Sequence, residues 1–354
     1  MTLLLFILIL SVLIFVHEFG HFIVAKKSGI KVEEFGFGLP PRIFGKKVGE
    51  TIYSLNLLPI GGFVRLFGED EQVDKKNKDE KRSFYHQSKL NRLSVLIAGV
   101  TMNLLLGIIC FSMIYLKVGI PTKVGQVMVV DVSKNSPADL IGLQVNEIIY
   151  EINDKPLVAV KDFVEQTKMY ADTEISLRVG NDRESRTVRV VPRINPPAGE
   201  GPLGVAISDT LMKRYPWWQT PYLVLREGLK EALSWSGNII ISLKAMVVGL
   251  VLHGRVPSDI SGPIGIYQIT GQAAKAGWMA VIQFTGILSI NLAILNILPL
   301  PALDGGRIFF LGYEAITRRK INHKIELVIN NIGMFVLIGL MVVITVNDVV
   351  RLLR

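Results

Sequence analysis

The chain has 354 residues, 50% of them hydrophobic, with a mean hydropathy of +0.41, too apolar for an ordinary soluble domain and long enough for a membrane bundle plus one small soluble domain. The formal net charge of +9 invites a nucleic-acid reading. However, the Lys and Arg residues stand beside apolar runs without interleaved aromatics, so they read as topology signals and contacts to anionic lipid.

Leu3 to Ala25 is long enough to span ~30 Å of hydrocarbon. Met1-Thr2 carries no positive charge and no A-x-A-like site follows, so the segment reads as a retained span and not a cleaved leader. Inside it lies Val16-His17-Glu18-Phe19-Gly20-His21. On a helix His17 and His21 are one turn apart and face the same way, so two imidazoles could hold one Zn²⁺. Glu18 then sits where it can take a proton from a water on that ion. Ionisable groups in membrane helices cost ~2.5–3.5 kcal/mol each on insertion scales and are usually functional. The bland alternative is a buried polar cluster without metal. Lys26, Lys27 and Lys31 follow at once, placing this end in the cytoplasm and the N-terminus outside.

Residues 30–67 are rich in Gly and Pro. Short β-like runs at Glu50–Leu58 and Gly62–Phe67 flank Pro59-Ile60-Gly61-Gly62, which predicts a membrane-associated β-hairpin turning there. Its edge could pair with an extended peptide, or the hairpin could serve packing alone. Gly68 to Arg92, with Lys75, Lys76, Lys78, Lys81, Arg82, Lys89 and Arg92, reads as a cytoplasmic loop. Leu93 to Val118 is the second span and closes an N-terminal membrane part, 1–118. It carries Gly99, Thr101 and Asn103, and also Cys110, the single cysteine, so no internal disulfide can form. Asn103 has two readings, helix packing or a hydrogen bond near the metal.

Residues 121–209 change character. Period-2 runs at Gln126–Val132, Glu147–Ile152, Glu174–Val179 and Thr187–Val191, a turn at Gly180-Asn181-Asp182 and helical patterns at Ser136–Ile141 and Val160–Tyr170 predict a compact α+β domain, outside the cytoplasm because the preceding span runs outward. Residues 210–276 read as an amphipathic membrane-surface segment, with Tyr215, Trp217, Trp218, Tyr222 and Trp235 suited to the interface and Lys244 inside its apolar stretch Asn238–Leu252. A C-terminal membrane part, 277–354, holds spans at 280–300, with Asn291 and Asn296 inside, and at 330–346, ahead of Arg351 and Arg354. Arg307, Arg318, Arg319, Lys320 and Lys324 between them form a basic cytoplasmic loop.

A catalytic zinc usually has three protein ligands and one open position. His86, His253 and His323 lie in polar or flanking segments. In Asn296-Ile297-Leu298-Pro299-Leu300-Pro301-Ala302-Leu303-Asp304-Gly305-Gly306, two prolines stop a helix at membrane depth, where broken backbone is tolerated only beside protein or a water-filled cavity. Asp304 is the candidate third ligand. It shares the cytoplasmic side with His17 and His21 only if Asn238–Leu252 does not cross, so four spans are predicted.

These residues resemble the site-2 protease family of intramembrane zinc metalloproteases, nearest its bacterial regulator-of-sigma-E (RseP-like) branch. The matching pieces are HEFGH at His17–His21, NLLPIGGFVRLFGE at Asn56–Glu69, SGPIGI at Ser261–Ile266 and NILPLPALDGG at Asn296–Gly306. The resemblance implies His17, His21 and Asp304 as Zn²⁺ ligands and Glu18 as the catalytic base. It implies that the hairpin, with Asn56, Pro59, Gly61, Gly62 and Phe63, resembles the family's membrane-reentrant hairpin that engages substrate, and that Asn296, Pro299 and Pro301 lie near the active site. The soluble insert resembles a circularly permuted bacterial PDZ domain, through Asn135-Ser136-Pro137-Ala138 and Gly142-Leu143. Gly201-Pro202-Leu203-Gly204-Val205 looks like its carboxylate-binding loop, with a structural turn as the other reading. There are two departures: room for one PDZ domain where some relatives carry two, and Val100 where a proline often follows the glycine.

The expectation is therefore an α-helical polytopic membrane protein with four transmembrane helices, a membrane-associated β-hairpin and an inserted α+β PDZ-like domain, in the inner (cytoplasmic) membrane of a bacterium. By resemblance it is a zinc endopeptidase that cleaves single-span membrane proteins, such as anti-sigma factors after a first extracytoplasmic cut and remnant signal peptides, in regulated intramembrane proteolysis. Its partners would be those substrates and the lipid bilayer, with no nucleic acid. Rival readings are a PDZ adaptor without catalysis, a protease with a glutamate third ligand, for which no E-x-x-x-[HD] pattern follows in a span, and a metal transporter.

Overall fold

Apolar side chains surround the first helix on every side. The computed structural model describes residues 1–69, 78–181, 184–197, 199–253, 262–319 and 323–352; Lys75, Lys76, Asp182, Ser261, Lys320 and Arg354, named above, lie outside the described residues. The helices are α1 (Thr2–Lys27), α2 (Lys89–Val118), α3 (Pro137–Leu140), α4 (Val160–Met169), α5 (Thr220–His253), α6 (Pro263–Ala276), α7 (Trp278–Ile297), α8 (Asp304–Thr317) and α9 (His323–Leu352). The strands are β1 (Val32–Val48), β2 (Thr51–Leu66), β3 (Ile120–Val132), β4 (Ile148–Ile152), β5 (Lys155–Pro156), β6 (Ile175–Gly180), β7 (Ser185–Val190) and β8 (Val205–Lys213). Two units result, one of Met1–Tyr115 with Tyr222–Arg354 and one of Leu116–Pro221.

In the first unit α1, α2, α7 and residues Ile325–Val350 of α9 are long and apolar enough to cross a membrane. In lipid no hydrophobic drive presses helices together, and small residues that let backbones approach take its place. A Cβ on Gly20 would lie 2.5 Å from the Ala98 carbonyl oxygen of α2, and one on Gly107 would collide with Ile290 of α7.

The expected turn around Pro59–Gly62 is present, since 52–55 run in the same direction as 34–37 and 62–66 run against them; a second turn lies outside the expectation. The chain reverses at Gly49-Glu50, where Val48 pairs with Thr51 and Gly49 takes φ +62°, a conformation tight hairpin turns require and glycine adopts freely. Residues 32–37 pair on one side with 62–66 and on the other with 52–55, while 44–48 pair with 51–55. The strands thus fold into four segments, with 62–66 along one edge. Pro59 and Gly61 lie inside β2, and Ser11 of α1 fastens them by donating to the Pro59 carbonyl (2.5 Å) and accepting from the Gly61 N–H (3.4 Å). At the turn, hydrogen bonding from Arg82, with Lys26 beside it, holds the Glu50 carboxyl down at about 2. Leu39, Ile43, Phe44, Leu55, Leu57 and Leu58 are exposed.

Residues 210–276 are not one surface segment. Residues 210–213 belong to β8, and the first half of α5 packs on α2: a Cβ on Gly228 would collide with Ser112, Tyr115 donates to Glu231 (3.1 Å), and Trp235 and Ile239 join the apolar cluster that contains Ile108 and Phe111. The apolar pattern had looked merely amphipathic because its partner is another helix. The separate α6 is capped by Asp348 of α9, which accepts the Gly265 N–H at 3.0 Å. The far end of α8 is tied to α2 by a buried pair, Arg92 to Glu314 at 2.9 Å, with the guanidinium over the rings of Phe84 and Tyr85.

In the second unit an antiparallel sheet runs β7-β6-β4-β3-β8, with β5 on β4. Its core is Val127, Val129, Ile149, Ile152, Leu177 and their neighbours, closed by Phe163 of α4. Ser136 caps α3 by accepting the Asp139 N–H, with Pro137 in the first turn. The strand β8 was not expected. It pairs Thr210–Lys213 with Ile120–Lys123, so the sheet passes the predicted boundary at Asp209.

Glu314→Ala should destabilise the first unit by about 3–5 kcal/mol, the usual cost of stranding one partner of a buried ion pair. A thermal melt in detergent against Glu314→Gln, which keeps a hydrogen-bond acceptor and should lose less, reads this directly.

Candidate metal centre

The helical repeat brings the His17 and His21 Nε2 atoms within 3.1 Å of each other. The third group arrives from the break between α7 and α8. Without an N–H, Pro299 and Pro301 cannot continue α7, and the chain restarts as α8 at Asp304. Gly305 and Gly306 let the new helix lie on the carbonyls of Leu298 and Leu300, with which a Cβ at either would collide. Asp304 Oδ2 thereby stands 3.0 Å from His17 Nε2 and 3.3 Å from His21 Nε2.

A tetrahedral zinc with bonds of ~2.0–2.1 Å spaces its donors about 3.3 Å apart, and these three donors have that spacing. Asp304 Oδ2 is buried without a hydrogen bond of normal geometry, a costly state for a carboxylate that a cation relieves. Among the described residues this is the one group of three side chains able to hold a metal ion.

The surroundings orient both rings. His21 Nδ1–H donates to the Val95 carbonyl (2.8 Å), which leaves Nε2 as the ligand atom. His17 Nδ1 lies 3.3 Å from the Asn103 amide, whose Oδ1 is buried without a partner. With that amide turned over, Oδ1 accepts the Nδ1–H and His17 Nε2 is likewise freed for metal. Ser289 holds Asn103 by donating to its carbonyl at 2.7 Å. Asn103 thus does both things the sequence left open. Gly99 supplies clearance, because a Cβ there would collide with the imidazoles of His21 and His17.

Glu18 points to the hairpin edge, where its Oε2 accepts the Val64 N–H at 3.2 Å. It lines a cavity of about 420 Å³ together with the three candidate ligands, Phe63, Asn296, Arg307 and Asn330. Of the substrate-binding candidates, Phe63 and Asn296 face this cavity, and the Asn296 amide lies 3.4 Å from His17 Nε2. Asn56 is turned inward and donates to the carbonyls of Phe37 and Gly38. Pro59, Gly61 and Gly62 shape the bend on α1, Pro299 belongs to the break, and Pro301 lines a separate apolar hollow against α9. In the second unit Leu203 is a core side chain, and the Gly204 N–H closes a turn onto the Gly201 carbonyl at 3.0 Å, so that donor of the expected carboxylate loop is already engaged.

Arg307 corrects the reading of a basic loop: it pairs with Glu69 at the end of the hairpin and lines the cavity. Its place one helical turn after Asp304 was a usable signal. Gly99 and Asn330 carried weaker ones, a small residue and an amide within apolar spans.

The pattern of peptidase family M50 matches residues 5–340. A Clostridium perfringens protein provisionally named a zinc metalloprotease is 36% identical over 348 residues, covering 97% of each chain. The Zinc metalloprotease RasP of Shouchella clausii is 31% identical and the Regulator of sigma-W protease RasP of Bacillus subtilis 30%, each covering 99% of both chains. A PDZ domain from Listeria monocytogenes aligns with 25% of this chain and 93% of its own at 15% identity and a TM-score of 0.22, a likeness that decides nothing.

Gly99→Ala should lower zinc affinity at least ~10-fold by displacing the imidazoles while far-UV circular dichroism stays unchanged. Competition with a graded chelator gives the affinity.

Proposed function

The chain belongs to peptidase family M50, the zinc metalloendopeptidases of the site-2 type, and from that premise we propose that His17, His21 and Asp304 hold the catalytic zinc, with Glu18 as general base. The observation that carries the proposal is the 3.0–3.3 Å spacing of three donors drawn from α1 and α8. When bound, the zinc supplies Lewis acidity toward a peptide carbonyl and toward the attacking water. Glu18 takes the proton of that water on a carboxylate oxygen and hands it to the leaving amine. Asn296, in the same cavity, would donate to the developing oxyanion.

Substrates in this reading are membrane-spanning segments of single-span proteins. A helical segment hides its carbonyls and has to unwind before it can be cut. Among the described residues, 62–66 form an edge of the hairpin that lines the cavity, with the Val64 N–H held by Glu18, and pairing with this edge in exchange for that bond would hold the segment extended. The exposed apolar residues of the hairpin suit immersion in lipid. Lys26, Lys27, Lys31 and Arg82 stand at the end of α1 nearest the hairpin turn, which by the positive-inside rule is cytoplasmic; the second unit is then outside, in a bacterial membrane. That unit works as a PDZ-like filter, with β8 as an edge strand beginning right after the Gly201–Gly204 turn, and screens candidates by an exposed end or by size. The name of the Bacillus subtilis relative, a regulator of sigma-W, supports anti-sigma-type substrates already shortened outside the membrane, with remnant signal peptides as a second group.

Zinc content and cleavage of a single-span substrate, read in the same detergent samples, test the reading. Wild type should hold one zinc and cut. Asp304→Ala should lose zinc and cleavage together. Glu18→Gln should keep the zinc while cleavage falls by ~10²–10⁴-fold. Full zinc and full cleavage without Asp304 would sink the ligand assignment.

A further inference from the structure

The break that delivers Asp304 is also held from α9. Ala302, two residues before the candidate ligand, has φ +68°, the left-handed region in which a residue with a Cβ rarely sits. Its N–H is taken by Asn330 of α9, whose Oδ1 accepts it at 3.2 Å. One turn further along α9, Gly333 lets Pro301 lie directly on the helix, since a Cβ there would collide with the proline ring. Asn330 lines the same cavity as His17, Glu18 and Asp304. The rest of α9 is barely covered: 6% of its apolar stretch is buried, and its ties to other elements include Glu326 to Tyr85 and Asp348 to Gly265.

We propose that Asn330 is a positioning residue for Asp304. By holding Ala302 in the left-handed conformation it sets the direction in which the carboxylate enters the site, and so makes the metal geometry depend on how α9 is seated. The proposal rests on Asp304 being a zinc ligand and adds that a residue of another helix controls it. The acceptor oxygen is what matters, because a backbone N–H needs only an acceptor at that distance. Asp at this position keeps such an oxygen, Ala removes it, and Gln carries it one methylene too far.

The test uses full-length protein in detergent, charged with Co²⁺ in place of zinc, whose visible absorption reports the geometry of the ligand atoms. Wild type, Asn330→Ala, Asn330→Gln, Asn330→Asp and Asp304→Ala are compared by that spectrum, by zinc loss to a chelator, and by kcat and KM on a single-span peptide. Asn330→Ala and Asn330→Gln should alter the spectrum, lose zinc at least ~10-fold more readily and lower kcat with KM near wild type. Asn330→Asp should restore all three. If Asn330→Ala does not fold, Asn330→Gln carries the comparison. A wild-type spectrum and wild-type zinc retention in the folded Asn330 variants would overturn the proposal, provided Asp304→Ala changes both. If Asp304→Ala changes neither, the ligand assignment itself has failed.

Discussion

Three donor atoms, two from the first helix and one from the start of α8, have to meet at a separation of about 3.3 Å to share one metal ion. His17, His21 and Asp304 meet that condition at 3.0–3.3 Å. Much of the first unit follows from it. A straight α1 keeps both imidazoles on one face, α2 is bare at Gly99 so that they fit, and α7 ends early so that the chain can turn Asp304 back toward them.

The convergence needs a scaffold that lipid by itself does not drive together. Close backbone approach at Gly20 and Gly107 and a few polar ties do that work. The ties are ones whose loss is expensive in a dry interior: Arg92 to Glu314, Ser289 to the Asn103 backbone, Asp348 to the start of α6. Two of them bear on the site, since Asn103 reaches His17 and the helix that carries Glu314 begins with Asp304.

Glu18, the three candidate ligands and the hairpin edge are joined mechanically. Val64, on the edge segment 62–66 of the hairpin, holds Glu18 with its backbone N–H. Just past the end of that strand, Glu69 pairs with Arg307, one turn after Asp304. A shift of the hairpin therefore bears on Glu18 and on the helix that carries Asp304 together.

The helical repeat of the HExxH segment, the hydropathy of four long runs, the alternation along β4, β6 and β7 and the two prolines ahead of Asp304 were all legible in the sequence, because each is set by neighbours within a turn or a strand. The pairing that makes Gly49-Glu50 the hairpin turn, the β8 strand that extends the second unit, and the packing of α5 on α2 were not, because their partners lie far along the chain and no local propensity names them. The same holds for Gly99, Arg307 and Asn330. Their residue types hint at packing, charge or a buried amide, and only the tertiary structure brings them to one point. The sequence by itself determined which chemistry the chain carries, since imidazole, carboxylate and proline act through their own atoms. The tertiary structure decided which of these groups meet and at what distance, since that depends on how closely separate elements pack.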